Sequence, residues 1–333
     1  MSNKKKCWVI ANGTVGVLNQ ALGLAETLGI SFTTKTFIRK FPYSLIPISI
    51  VADLQSHLTE DSDKMEPPWP DLLIASGSKS ISIAQYIKKV SNNKTYIVYV
   101  QDPRISSDRF DLIFSMYHDK IEGKNVYKAD MSLHRVTEKK LKEEKKKFAP
   151  LFNSMKKPFN AIIIGGHTKR YKMNKNRCDD LFKKIKFIIE KNPGTALIAP
   201  SRRTPEYMIN LLKEYSEINN NIYVADLENK ENPYLAIIAL SDKIFVTNDS
   251  VSMVSEACAA GKEVYILELL NMNHSKLVRF ANNIVTLGYG SIFNYEKTKK
   301  AHIIKRNETE KAALFLKRKL IQQRGFTESD FKC

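Results

Sequence analysis

Asn160-Ala-Ile-Ile-Ile164, running into Gly165-Gly166-His167-Thr168-Lys169, is the stretch that decides the fold of this chain. A short apolar run that stops at paired glycines reads as a buried strand ending in a tight turn. Before it stands the Lys156-Lys157-Pro158 linker, and after it Lys175–Glu190 carries apolar residues at helical spacing. Strand, glycine turn and helix form the opening unit of a parallel sheet with helical crossovers. Downstream the alternation continues, with strands at Thr195–Ala199, Asn221–Ala225, Lys243–Thr247 and Val264–Leu267 and helices over Pro233–Leu240 and Met253–Ala260. Upstream it has already run once. Strands are expected at Cys7–Ala11, Ile30–Phe37, Asp71–Ala75, Tyr96–Val100 and Asp111–Phe114, with helices over Leu18–Leu28 and from after Ser78 through Lys89. Phe41–Leu58 fits either state, and Thr59–Pro70 reads as a polar connector.

The fold class is therefore α/β with two Rossmann-like domains. A chain of 333 residues exceeds the size at which a single core usually keeps growing. Residues 1–152 are expected to form the first domain and 153–305 the second. Residues 306–333 supply a final helix, Glu308–Gln323, able to pack back across the boundary.

The net charge of +18 leaves three readings: nucleic acid, an anionic membrane surface, or a solvated basic face. The excess is mostly lysine, and its densest block, Glu138–Lys147, mixes both signs as a solvated helix does. No nucleic-acid module accompanies it, so no nucleic-acid partner is expected, and attraction to anionic lipid is the better reading. Cys7, Cys178, Cys258 and Cys333 form no CxxC pair or Cys/His cluster, which points to a reducing compartment and no metal site. Few apolar residues precede Asn12-Gly13, too few for a signal sequence, and no apolar stretch approaches the ~20 residues of a membrane span. A cytoplasmic protein, peripheral at most on the inner face of a membrane, is the expectation.

In open α/β sheets ligands bind beyond the carboxyl ends of the strands. Three such ends in the second domain carry chemistry. At Ile162–Lys169 the glycines Gly165 and Gly166 let backbone N–H groups approach a phosphate, with the Thr168 hydroxyl and the Lys169 charge beside them. The spacing is neither GxGxxG nor a Walker loop, and a plain strand-to-helix turn is an equal alternative. Ser201-Arg202-Arg203-Thr204-Pro205 sets two guanidinium groups ahead of a helix N-terminus, itself attractive to anions; a solvated loop is the other reading. In Val246–Glu256, Asp249, Ser250, Ser252 and Met253 open a helix whose backbone donors could hold a diphosphate. Glu256, about a turn later, could accept ribose hydroxyls, complete a capping box with Ser252 or simply be a surface carboxylate.

In the first domain Asn12, Gly13, Gly16 and Gln20 join a strand to a helix, and Ser76-Gly77 do the same. They are the expected acceptor-side loops if the second domain holds a nucleotide. Asp102 in Gln101–Arg104 and His118, beside Asp119, are the ionisable candidates for a general base.

Several of these segments together resemble the bacterial and plant family named for a plant mitochondrial-fission protein whose loss elongates mitochondria. The matching stretches are Gly16 with Asn19–Ala25, Gln101–Arg104, Leu133–Thr137, Gly165-Gly166, Ser201–Pro205, Asn232-Pro233-Tyr234 and Asp249–Ala257. They run in order over about residues 8–290. Asn12 departs from the pattern where an acidic residue is expected, Ser76–Lys79 is less basic, and Glu263 replaces a proline. The resemblance implies the two-Rossmann-domain (GT-B) glycosyltransferase architecture, with domains facing a cleft and the donor nucleotide on the C-terminal domain. It implies that the diphosphate is met by helix N-termini and basic side chains rather than by a metal. It thus implies a glycosyltransferase-like enzyme, without a cofactor, using a nucleotide sugar and a glycan or lipid acceptor of the envelope. The alternative is a non-enzymatic scaffold of the same fold at a membrane surface.

Overall fold

The computed structural model describes residues 5–11, 15–41, 55–169, 171–227, 231–273, 275–295 and 307–332. They form two compact units, Met1–Arg135 with Asn307–Cys333, and Val136–Arg306.

The first unit holds the strands β1 (Cys7–Ala11), β2 (Phe32–Lys35), β3 (Leu72–Ser76), β4 (Tyr96–Val100), β5 (Leu112–Met116) and β6 (Val126–Ala129). All pair in parallel, in the order β2-β1-β3-β4-β5-β6. The helices α1 (Val15–Leu28) and α2 (Ser80–Val90) are its crossovers. Successive side chains of β1 point to opposite faces, so Cys7 and Val9 join one core while Trp8 and Ile10 join another. Both faces are covered, which is why the central strands read as unbroken apolar runs rather than as alternation.

The second unit opens with α3 (Glu138–Phe152) and holds β7 (Phe159–Ile164), α4 (Lys175–Lys191), β8 (Thr195–Pro200), α5 (Glu206–Glu217) and β9 (Ile222–Val224). Beyond these come α6 (Tyr234–Leu240), β10 (Lys243–Thr247), α7 (Val251–Ala259), β11 (Glu263–Leu267), α8 (Ser275–Thr286) and β12 (Ser291–Ile292). The sheet is again parallel, in the order β12-β11-β10-β7-β8-β9. Asn174 caps α4 by accepting from the Arg177 N–H at 3.2 Å. Cys178, Leu181, Ile185 and Ile188 then bury one face of that helix against β7 and β8.

The charged helix α3 was expected to close the first domain; it packs instead on α6 of the second unit. Its lysines face water, but Phe148 and Phe152 are buried, and the Phe152 ring meets Tyr223 edge-on at 5.2 Å. The final helix α9 (Glu308–Arg324) belongs to the first unit, where Ala312, Ala313, Leu316 and Leu320 pack with Ala21, Leu24 and Leu28 of α1. Most of Phe41–Leu58 lies outside the described residues, and its Leu58 pairs in an antiparallel bridge with Arg39.

Candidate functional site

The strand order of the second unit reverses between β7 and β10. The chain leaves β7 toward β8 on one side, whereas β10 and its successors lie on the other. Ligands of open α/β sheets lie at such a switch point, beyond the strand carboxyl ends. Here those ends are Gly165-Gly166 and Asn248-Asp249, with Ser201–Thr204 following the adjacent β8.

One carboxylate ties the three loops together. Asp249 Oδ2 accepts from the Gly166 N–H at 3.0 Å and lies 3.1 Å from Arg203 Nη2, while Oδ1 accepts from the Thr247 hydroxyl at 2.6 Å. The Thr247 oxygen accepts in turn from the Gly165 N–H at 2.8 Å. Arg203 Nη1 donates to the His167 carbonyl at 3.0 Å, and the His167 N–H donates to the Arg203 carbonyl at 2.9 Å. The Thr204 hydroxyl donates to the Gly165 carbonyl at 2.6 Å. The Asp249 side chain is 0% exposed, so these protein groups rather than water surround it.

The glycine pair therefore works differently from a bare phosphate cradle. Both N–H groups are already bonded within the fold. A Cβ on Gly165 would fall 2.0 Å from Asp249 Oδ2, and one on Gly166 would fall 1.9 Å from the Arg203 carbonyl oxygen. The glycines allow the loops to close on each other, and Arg203 and Asp249 belong to that closure.

What faces outward is a different subset. Ser250 caps α7, its hydroxyl accepting from the Met253 N–H at 3.4 Å. The N–H groups of Val251 and Ser252 have no acceptor among the described residues, as expected in the first turn of a helix. Arg202 is exposed, more so than the half-buried Arg203, and Lys169 is exposed beyond the glycine turn. Ser201 is held inside its loop: its N–H donates to the Thr204 oxygen at 2.9 Å, and its own oxygen accepts from the Arg203 N–H at 3.3 Å. Glu256, on the second turn of α7, accepts from the Tyr234 hydroxyl at 2.6 Å. Burial pushes its carboxyl up to about 7, against the pull of that hydroxyl, and the same surroundings push the Tyr234 phenol well above its usual range. Tyr234 and Thr247 were not singled out as site residues in the sequence. Their signals were a tyrosine opening a helix after Asn232-Pro233 and a lone hydroxyl ending an apolar strand.

In the first unit the order reverses between β1 and β3. Asn12 and Gly13 lie outside the described residues. Gly16 is half-buried and Gln20 buried on α1. The buried Ser76 donates its hydroxyl to the Val17 carbonyl at 3.1 Å, and Gly77 turns the chain at a φ of 87°. Asp102 Oδ1 accepts from the Arg104 N–H at 2.8 Å, and Gln101 before it sits at a φ of 97°, a strained value for a residue with a side chain. The side chain of His118 is 3% exposed, edge-on to Tyr117 at 5.0 Å and 3.8 Å from Asp119. Asp102 and His118 thus follow the carboxyl ends of the neighbouring strands β4 and β5.

The Leu133–Thr137 stretch turns out to be a packing motif. A Cβ on Gly23 would fall 2.1 Å from the His134 carbonyl oxygen, and that oxygen accepts from the Thr309 hydroxyl at 3.1 Å. Arg135 grips Glu26 with two hydrogen bonds of 2.6 and 3.0 Å, and Thr137 caps α3.

Two parallel six-stranded sheets with polar strand-end loops define a protein of the two-Rossmann, GT-B-like α/β class. The UDP-GlcNAc 2-epimerase of Methanocaldococcus jannaschii is similar over 94% of this chain and 99% of its own, at a TM-score of 0.58 and 14% identity. The glycotransferase of kitacinnamycin is similar at a TM-score of 0.52 and 10% identity, covering 99% of this chain and 96% of its own. At such identities the likeness is one of fold. The family is set by sequence: the chain belongs to the mitochondrial fission ELM1 family, whose model matches residues 15–320. An uncharacterized protein of Rickettsia prowazekii (strain Madrid E) is 29% identical over 86% of this chain and 90% of its own. The mitochondrial fission protein ELM1 of Arabidopsis thaliana is 24% identical over 65% of this chain and 56% of its own. No described helix is long and apolar enough to cross a membrane.

Proposed function

We propose that this chain is a glycosyltransferase-like enzyme that binds a nucleotide-diphosphate sugar at the carboxyl ends of β7, β8 and β10, for transfer to an envelope glycan or lipid. The observation that carries the reading is the switch point itself. Three loops are tied by Asp249, Thr247 and Arg203 so that the N-terminus of α7 is held at the switch point, where open α/β sheets bind their ligands. The first-turn N–H groups of Val251 and Ser252, with the Ser250 and Ser252 hydroxyls, would receive the diphosphate, and Met253, whose N–H the Ser250 cap already holds, would shape that turn. Arg202 and Lys169 add positive charge. Glu256 would accept the ribose hydroxyls. Two proteins of similar fold support the reading, one a UDP-GlcNAc 2-epimerase and the other a glycotransferase.

A ligand that binds only the folded state raises its melting temperature. A thermal-shift screen against nucleoside diphosphates and nucleotide sugars is expected to give a positive shift, which Arg202→Ala and Glu256→Ala each weaken. Arg202 is exposed and makes no ion pair among the described residues, so its loss should leave the unliganded melting temperature unchanged. The name of the Arabidopsis relative favours a second reading, a recruitment scaffold at a membrane surface. That reading predicts no shift with any nucleotide, together with sedimentation on anionic vesicles.

A further inference from the structure

We propose that Tyr234 positions Glu256 for a vicinal diol, holding one carboxylate oxygen so that the other is offered to the ribose of a nucleotide. This rests on the donor-site reading above and narrows its substrate class to nucleotides that keep both ribose hydroxyls.

The two residues come from different crossovers. Glu256 lies on α7, four residues after Ser252 and so on the same helix face. Tyr234 opens α6, where its N–H donates to Asn232 Oδ1 at 3.0 Å and fixes the start of the helix. The phenol donates to Glu256 Oε2 at 2.6 Å, a short bond of the kind an ionised acceptor makes. Glu256 Oε1 has no donor among the described residues, and the residue keeps part of its surface exposed. A carboxylate anchored by one oxygen has lost the freedom of its terminal torsion, and the second oxygen is presented in one direction. A vicinal diol offers two O–H donors to such an acceptor.

The same contact decides whether the acceptor is charged. Burial favours the neutral acid, and among the described residues Tyr234 is the titratable group in contact with it. The phenol donates to the ionised form and so lowers the carboxyl toward neutrality. Without that hydroxyl the Glu256 carboxyl would move further up, and the protonated acid, which accepts the diol poorly, would be more populated at neutral pH.

Tyr234→Phe removes only the hydroxyl. Full-length wild type, Tyr234→Phe and Glu256→Gln would be titrated with uridine diphosphate, its 2′-deoxy analogue and inorganic pyrophosphate by calorimetry, between about pH 6 and about pH 8.5. Separately, carboxyl-labelled glutamate would follow Glu256 by NMR without ligand. Expected is a loss of about tenfold in uridine diphosphate affinity for Tyr234→Phe at neutral pH, recovering as the pH rises. Glu256→Gln should be weak throughout, the deoxy analogue should bind weakly to every form, and pyrophosphate should not discriminate. The Glu256 titration should move upward in Tyr234→Phe.

A Tyr234→Phe protein with wild-type affinity for uridine diphosphate at every pH overturns the positioning role while leaving the donor site standing, and a deficit that pH does not relieve at all overturns the charge-setting role of the phenol. An unmoved Glu256 titration overturns it as well. Failure of wild type to bind either nucleotide overturns the donor-site reading and the diol assignment with it, whatever the titration shows.

Discussion

Asp249 is a residue whose identity was legible and whose role was not. The sequence places an acid after a strand end, beside serines that cap a helix, and that setting reads as a ligand contact. Only the structure shows it accepting from Gly166 and Thr247 with Arg203 alongside. Paired glycines are ambiguous, because sequence does not say what fills the space of a missing Cβ. Breaking a buried ion pair costs about 3–5 kcal/mol when both charges are buried. Arg203 is 39% exposed and keeps much of its hydration, so Asp249→Asn is expected to cost nearer about 2 kcal/mol in urea unfolding. Gly165→Ala should cost more, since its methyl would meet the carboxylate itself. A Gly165→Ala protein as stable as wild type would show that the loops separate easily. His134 carries a pH prediction. Burial pushes its imidazole down to about 4 from an ordinary 6.5, so it is neutral in the folded state. Stability from this group is whole above pH 6.5 and is lost as the pH falls toward 4, because the unfolded chain takes up the proton first. The span corresponds to on the order of 3 kcal/mol, to be read as a fall in the urea midpoint that His134→Asn flattens.

Elements whose burial is uniform were the legible ones. β3, β4 and β7 are buried along their whole length, so each appears in the sequence as a run of four or five consecutive residues that are almost all apolar, next to polar or glycine residues. The strands that escaped notice are of another kind: β6 is an edge strand with an exposed Lys128, and β12 has two residues, so neither carries a pattern of its own. The α8 helix has regular apolar spacing, but it follows a polar stretch with no strong cap signal, so the sequence does not announce it. Helix ends give sharper expectations than helix interiors. Asn307 Oδ1 accepts from the N–H groups of both Thr309 and Glu310, at 3.0 and 3.2 Å. Asn307→Ala is therefore expected to cost about 1 kcal/mol, measured by denaturant unfolding. At the other end of α9, Gly325 sits at a φ of 62° with nothing within 4 Å of a Cβ. Gly325→Ala should thus cost about 1 kcal/mol through backbone conformation alone, and Gly325→Asn less.

At the scale of the whole chain, the alternation of strand and helix announces two α/β units, but it does not say where the chain changes allegiance. That depends on contacts between residues distant in sequence: Phe148 and Phe152 draw α3 to the second unit, and α9 returns to α1 across more than half the chain. Strand order is likewise invisible in a single sequence, and with it the switch point that selects one set of loops among many polar strand ends. The placement of α9 can be tested by ending the chain after residue 306. The deletion removes Ala312, Ala313, Leu316, Leu320, Phe326 and Phe331 from the first core. Burying a large apolar side chain is worth roughly 1.5–3 kcal/mol, so four such losses alone approach the 5–15 kcal/mol that holds a typical domain together. The second unit, Val136–Arg306, keeps its own core around Ile162, Leu181 and Phe245. Limited proteolysis of the shortened chain should therefore digest residues 1–135 rapidly while a fragment near 136–306 persists, with both units resistant in the full-length protein. Equal resistance of the first unit in both forms would mean that α9 adds little to its core, and that the chain's return to α1 is a surface attachment.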